Sequence, residues 1–424
     1  MIKIANKMLT RLREKDKNGL FKPTQTSICY PTGFISFDYR NGYLVEVRDL
    51  KEVLIKSYPA IGIVGGTFIT VAGKPGTAKT TWAIQAASNI VKPFVDNAFV
   101  QHYDLEQALN YTRIKNVNLM TQQELDDKYI LKQEKNYIED IFKAIMLIGF
   151  EKETNKVDYT YDTGWVDEFN RPIKAYVPTV VIIDSIPLIS SKEAFKDKEM
   201  EGGTYANRVA KAIAQLYKGL MPIIKTYNIT VIAINHITSK IEISAFIKTQ
   251  PQLLYMKLDQ NLPGGHAPLF LANTLLNFTA LGSEKFKQDE HGFDGFPVRC
   301  DFLKSRTNKA GQFATLIYNQ VTGFDSILSQ LRFAEDNNLI SGRNPYRYIN
   351  GFKDLKFDSR KFKKEFNKNE KLRFALFEST IPILEKQLSH VDPDVEDEVD
   401  VLDLCNKLES AQDLDVLEEV VNIA

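Results

Sequence analysis

Cysteine is scarce in this chain and poorly placed for chemistry. Only three occur in 424 residues, Cys29, Cys300 and Cys405. None stands in a C-x-x-C or other metal-ligand spacing, which excludes a zinc module and a disulfide framework. So few thiols imply a reducing, cytosol-like compartment. Long apolar runs are missing too: the start, MIKIANKMLTRLREKDK, interleaves basic and apolar residues. Neither a secretory signal nor a membrane span is expected, so the protein reads as soluble and cytoplasmic with no membrane partner.

Net charge is also absent, but by cancellation. The chain has 54 Lys/Arg and 54 Asp/Glu, and residues 391–424 hold 12 of the acidic residues and only Lys407 of the basic ones. Residues 1–390 are left with 53 basic against 42 acidic, a net +11. A basic body with an acidic tail fits a polyanionic partner that the tail can mimic or modulate; the plainer reading is a solubilising end.

What is plentiful is apolar material. At 44% hydrophobic and 11% aromatic, the chain can bury the core of one large or two to three ordinary domains. Residues 2–16 repeat apolar side chains at near-helical spacing (Ile2, Ala5, Met8, Leu9, Leu12), giving a short basic amphipathic helix that packs on its own core or on a neighbour. Residues 34–47 read as extended. From there, continuous Val/Ile runs alternate with helical patterns: strands at 67–72, in NAFVQHYDLE up to Asp104, in VPTVVIIDS and in ITVIAINH, with helices after Lys79, over 137–148 and up to Pro222. That pattern predicts an α/β fold, a mostly parallel sheet covered on both faces with its ligand site at the carboxyl ends of the strands. Past Gly265 the strands alternate in polarity, and 340–390 reads as small and mixed. Residues 151–176 and 237–265 resist assignment and read as insertions or functional loops.

The chemistry concentrates at VAGKPGTAKTTWAIQAA, residues 71–87. Strand, glycine-rich turn and helix enclose Gly73-x-x-x-x-Ala78-Lys79-Thr80, a P-loop pattern with alanine at its second glycine. In such a loop the backbone N–H groups of Gly73, Lys74, Pro75's neighbours, Gly76, Thr77 and Ala78 close around phosphates. Lys79 neutralises them, Thr80 offers its hydroxyl to Mg²⁺, and Thr81 completes the nucleotide-binding stretch, which includes Pro75. Ala78 stands where the chain enters the helix, so an ordinary right-handed conformation is expected there. Asp184 ends an apolar strand and supplies a carboxylate for the metal. Asp104 and Glu106 end the strand between these motifs, and both compete as the base that orients a water. Asn235-His236 closes a later strand, as a phosphate sensor or as a plain strand-end pair. Lys304 and Arg306, one residue apart, share a strand face as surface charges or as cations for another subunit's nucleotide.

The ordered set PTGFISFD, GKPGTAKTT, DLEQAL, VVIIDSIPLISSKEAF, ANRVAKAIAQL, VIAINHIT, GGHAPLFLANTLL and FLKSRTNKAGQF resembles the RecA-type recombinases, and within them the UvsX-like strand-exchange recombinases of large tailed phages. The resemblance spans roughly residues 30–325. It implies a RecA-like ATPase core, with ATP and Mg²⁺ held between neighbouring subunits of a homo-oligomeric helical filament on single-stranded DNA, which pairs with homologous duplex DNA in recombination, repair and recombination-dependent replication. It implies Glu106 as the water-activating carboxylate, His236 as the group coupling phosphate to DNA, and Lys304 and Arg306 as trans-acting cations. Arg113 stands where relatives place a tyrosine near the adenine. Two loops, 191–206 and 237–265, match DNA-contacting segments, offering Gly202, Gly203, Lys240, Phe246, Lys248, Tyr255, Lys257, Gly264 and Gly265, with Arg208 on the helix after the first.

The implied organisation is a polymerisation helix and linker in 1–30, the ATPase core with its DNA loops in 31–325, a small subdomain in 326–390 and the acidic tail in 391–424. The tail competes with DNA or docks a single-strand-binding or mediator protein. A DnaB-type hexameric replicative helicase shares the ATPase core and a late K-x-R pair, but only about 60 residues precede the core here. A non-catalytic ATP-binding assembly protein fits less well, because Lys79, Thr80, Asp184 and Glu106 are all present.

Overall fold

Strand pairing begins from runs that can be buried on both sides. In Thr179–Asp184 every residue is buried, Val180 and Ile182 facing one hydrophobic cluster and Val181 and Ile183 the other. Period-two alternation makes such a strand apolar throughout only when both sheet faces are covered. The computed structural model describes residues 28–48, 53–118, 120–134, 137–167, 170–192, 203–239, 251–282 and 295–388. All of these belong to one compact unit. The amphipathic helix expected over 2–16, Gly202, Lys240, Phe246, Lys248 and the acidic tail lie outside the described residues.

The central sheet has nine strands, numbered here in chain order: β1 Phe68–Gly73, β2 Phe99–Asp104, β3 Tyr129–Lys132, β4 Thr179–Asp184, β5 Ile229–Ile234, β6 Thr274–Ala280, β7 Gly295–Ser305, β8 Phe313–Asn319 and β9 Gly323–Asp325. Their order across the sheet is β9-β8-β7-β6-β1-β5-β4-β2-β3. The run from β6 to β3 is parallel, and β7, β8 and β9 add on antiparallel. The α/β class and mostly parallel sheet expected from the sequence are therefore present. The helix Lys79–Val91 covers one face, with Trp82, Ala83, Ala86 and Ile90 on Val71, Val100 and Ile232. Helices Ile138–Thr154 and Gly203–Thr226 cover the other, with Ile141, Ile145, Leu216 and Leu220 on Val181, Val231 and Ala233.

Two local readings are corrected. Residues 34–47 are not extended throughout: Ile35–Asn41 is a helix, followed by the strand Tyr43–Arg48. The buried Asp38 carboxylate accepts from the Thr32 amide and hydroxyl at 2.9 and 2.6 Å and from the Gly33 amide at 3.2 Å, fixing the helix entry. Phe37 then wedges between Trp82 and Phe302. The helix expected to stop before Pro222 runs through it to Thr226. Leu220 and Ile224 on either side are buried against the sheet, and that burial outweighs the one hydrogen bond a proline removes. Within the unassigned stretch 151–176, Thr160–Val166 and Pro172–Tyr176 pair as antiparallel strands. They are tied down by the Tyr161 and Tyr30 hydroxyls, 2.9 Å apart, and by stacking of Trp165 on Tyr58.

Beyond β9, a helix Ser326–Asp336, an antiparallel three-stranded sheet (Ile340–Arg343, Tyr346–Ile349, Lys356–Asp358) and helices Phe362–Lys368 and Glu370–Glu385 follow. Asp325 caps the first helix by accepting from the Leu328 amide at 2.9 Å. This mixed segment shares its core with β8 through Ile317.

Candidate functional site

β1 delivers the chain into the loop 74–78 and the helix Lys79–Val91 at the carboxyl edge of the sheet. Two glycines earn their positions there. Gly73 has φ +153°, and a Cβ would meet the Phe278 carbonyl at 2.6 Å; Gly76 has φ +75°. Ala78 departs from expectation: at φ 61° and ψ 24° it is left-handed, not right-handed. The turn needs this conformation whatever the side chain, so the alanine methyl carries roughly 1–2 kcal/mol of strain that glycine would avoid. Lys79 is buried, and its Nζ donates to the Lys74 carbonyl at 2.8 Å, arching over the loop. Burial pushes its pKa down, against the opposing pull of Asp184 and Glu106.

The Thr80 hydroxyl donates to Asp184 Oδ2 at 2.6 Å, so hydroxyl and carboxylate stand together at the loop's exit. Burial pushes the Asp184 carboxyl up to about 7, reinforced by Glu106 and Asp104 and opposed by the Thr80 hydrogen bond and Lys79. A carboxylate this reluctant to ionise is relieved by a cation, and two hard oxygen donors beside a phosphate loop suit Mg²⁺, which takes few protein ligands and completes its shell with phosphate and water. Among the described residues no cluster of three or more His, Cys, Asp or Glu forms a metal cage of its own.

The competition between Asp104 and Glu106 is separated by geometry. Asp104 Oδ2 accepts from the Leu109 amide and the Gln133 side chain, both at 2.9 Å, and the residue is buried. Glu106 instead reaches across the strand ends: its Oε1 lies 3.1 Å from the Ser185 hydroxyl and 3.1 Å from His236 Nε2. Glu106 and His236 are partly exposed. The segment carrying His236 is tied to its surroundings at each end. Asn235 Nδ2 donates to the Pro263 carbonyl at 2.8 Å, and the Ile237 amide donates to the Gly73 carbonyl at 3.2 Å.

Lys304 and Arg306 do not join this cluster. Lys304 pairs with Leu275 and Leu275 with Thr70, which puts Lys304 roughly 10 Å along the strands from Gly73 and two strands across. Its Nζ donates to the carbonyls of Leu269 and Phe270 at 2.9 and 2.7 Å, and Arg306 donates to Phe270 at 2.7 Å. Burial, then Arg306, pushes the Lys304 pKa down to about 8. Arg113 bridges elements beside the loop, donating to the Gln320 and Val321 carbonyls, Tyr318 Oη and Thr81 Oγ1 at 2.6, 3.0, 2.9 and 3.3 Å. Its guanidinium edges are engaged, which leaves its faces for any base.

Of the expected loop residues, Gly203 begins its helix and Arg208 is exposed on it. Gly264 and Gly265 have φ +97° and +76°, and the close approach they allow is to Ile186 and Ala210. Lys257 is exposed; Tyr255 is half-exposed, its ring against the Gly311 turn. Sequence reasoning missed Ser185 and the buried pair His102 and Tyr129, whose imidazole Nδ1 and hydroxyl lie 2.7 Å apart behind Asp184. The one available signal was a histidine two residues before Asp104 on a strand otherwise read as apolar.

Fold and site together define an α/β protein with a strand–loop–helix turn, Phe68–Val91, at the carboxyl edge of a mixed, mostly parallel sheet. Comparison with protein-family models and with curated proteins finds no match.

Proposed function

We propose that this protein is an ATP-dependent DNA strand-exchange recombinase of RecA type, UvsX-like, assembling as a helical filament on single-stranded DNA. The observation that carries the reading is the pairing of Glu106 with His236 at 3.1 Å, on the same sheet edge as the loop, Thr80 and Asp184. A base that hydrogen-bonds the residue leading into a long loop couples the state of a terminal phosphate to that loop. Bound Mg²⁺, held by Thr80 and Asp184, supplies charge neutralisation at the phosphates. Lys79 and the loop amides bind and orient the triphosphate, and Glu106 takes a proton from the attacking water.

The placement of Lys304 and Arg306 away from the loop of their own chain supports a role in trans. Two cations held on carbonyls at another edge are free to cap the nucleotide of an adjacent subunit, so ATP binding orders the filament and hydrolysis releases it. Phosphate contacts dominate such binding, which then falls steeply with salt. Electron microscopy with single-stranded DNA and a non-hydrolysable ATP analogue tests the reading. Continuous helices support it, closed six-membered rings point to a DnaB-type helicase, and unassembled protein argues for a nucleotide-binding protein of another class.

A further inference from the structure

His102 sits mid-strand on β2, wholly buried beneath the helix Lys79–Val91. A core histidine kept for packing has both ring nitrogens satisfied. Here Nδ1 is 2.7 Å from Tyr129 Oη, while Nε2 has no hydrogen-bond partner. An unmade hydrogen bond at a buried polar atom costs about 1–3 kcal/mol, so a different use for that nitrogen is worth seeking. Its nearest ionic neighbour is Asp184 Oδ2 at 4.0 Å, the oxygen that also accepts from Thr80. Two residue pairs along the strands from His102, Asp104 stands opposite Asp184 with its Oδ1 also unpartnered.

The tautomer follows from this setting. Tyr129 is buried with its hydroxyl against Nδ1, and burial pushes its pKa up, so the phenol carries a proton that it can donate to Nδ1. The ring proton then lies on Nε2, facing two carboxylates that attract an N–H and would repel a lone pair.

We propose that His102 is a positioning residue for Asp184: Tyr129 fixes the imidazole tautomer, and the Nε2–H closes onto Asp184 Oδ2 when the phosphate loop is loaded. A carboxylate that meets a cation is commonly oriented by a hydrogen bond from behind, and losing that bond typically weakens metal affinity by about 10–100-fold. The imidazole stays neutral throughout and exchanges no proton. The idea rests on the nucleotide reading above and goes beyond it, because it assigns the carboxylate's orientation to a residue that touches neither nucleotide nor metal.

The test uses the full chain labelled with ¹⁵N-histidine, the His102 signals assigned with His102→Leu. The Nε2-protonated form is expected without nucleotide, and its proton should move downfield when Mg²⁺ and a non-hydrolysable ATP analogue are added. Affinity for Mn²⁺ in the presence of the analogue, followed by electron paramagnetic resonance, should fall about 10-fold in His102→Leu. Tyr129→Phe keeps the imidazole and removes one hydroxyl; it should mix the tautomers and weaken Mn²⁺ in the same direction, which keeps the test decisive if His102→Leu does not fold. An Nδ1-protonated ring, an unmoved Nε2–H in protein that binds the analogue, or variants that lose thermal stability with unchanged Mn²⁺ affinity would overturn the proposal alone. Wild-type protein that takes up no nucleotide would overturn both it and the reading beneath it.

Discussion

Glu106 and His236 meet across the strand ends, Oε1 of the carboxylate 3.1 Å from the imidazole Nε2, and the Ser185 hydroxyl lies at the same distance from the same oxygen. Glutamine at position 106 keeps the shape and an acceptor for Ser185 but loses the basicity. Glu106→Gln is therefore expected to lower the rate of phosphate release by about 10²–10⁴ while nucleotide affinity holds, leaving an assembly locked on DNA. Phosphate-release and DNA-retention assays read the two together. Rapid turnover by this variant would transfer the base role elsewhere, although Asp104 is already engaged by Leu109 and Gln133.

Ala78 holds a left-handed backbone at φ 61° in the loop proposed to bind phosphate. Ala78→Gly removes the clash between methyl and backbone, at the cost of a more flexible unfolded chain. A net gain of about 0.4–1 kcal/mol is expected, read as a higher midpoint in urea with unchanged slope. If the midpoint falls instead, the backbone at 78 is right-handed in solution, as the sequence alone had implied.

That reversal shows where the sequence was legible and where it was not. The strands ending at Gly73, Asp184 and Ile234 are almost continuously apolar, a pattern that a sheet covered on both faces demands, and the one ending at Asp104 is as buried although it carries Gln101 and His102. The residues that follow them therefore fall at one edge, and Lys79, Thr80, Glu106, Asp184 and His236 could be placed there before any coordinates. The helix Ile35–Asn41 was hidden because side chains far along the chain make it: Phe37 is held by Trp82 and Phe302. The strand Tyr129–Lys132 is four residues at the sheet's edge, too short for periodicity to reveal. Pro222 misled because local propensity yields to burial of Leu220 and Ile224. The isolation of Lys304 and Arg306 from the loop depends on register between β1, β6 and β7, which composition does not encode.

Asp184 also sets a dependence on pH. Its carboxyl is pushed up to about 7 from an ordinary 3.8, chiefly by burial, and Asp38 is raised to about 7 for the same reason. A carboxyl that holds its proton more tightly folded than unfolded favours the fold at low pH. That contribution is lost as pH rises from about 4 through about 7. Metal-free protein should therefore lose stability across this window. Asp184→Asn should show a shallower loss and, at pH 8, melt at least ~2 °C above the wild type, while Mg²⁺-dependent nucleotide binding disappears. Thermal melts from pH 4 to 8 with chelator present decide it; parallel curves for the two proteins would mean that Asp184 is ionised at no cost.

The separation of Lys304 and Arg306 from the loop of their own chain leads to a complementation experiment. On the proposed reading Lys79→Ala removes the cation for the phosphates and Arg306→Ala removes one for a neighbour's nucleotide, so each protein alone should hydrolyse ATP at a small fraction of the wild-type rate. In a mixture, an Arg306→Ala subunit brings an intact loop and a Lys79→Ala neighbour brings an intact Lys304 and Arg306. Where these two meet in the right order, a complete site forms. DNA-stimulated hydrolysis should then rise above the sum of the separate proteins, peaking near equal proportions, and should vanish again when either partner also carries the other substitution. Activity that merely adds would place Lys304 and Arg306 outside every nucleotide site, because within one chain Lys304 is anchored to the Leu269 and Phe270 carbonyls, roughly 10 Å along the strands from Gly73 and two strands across.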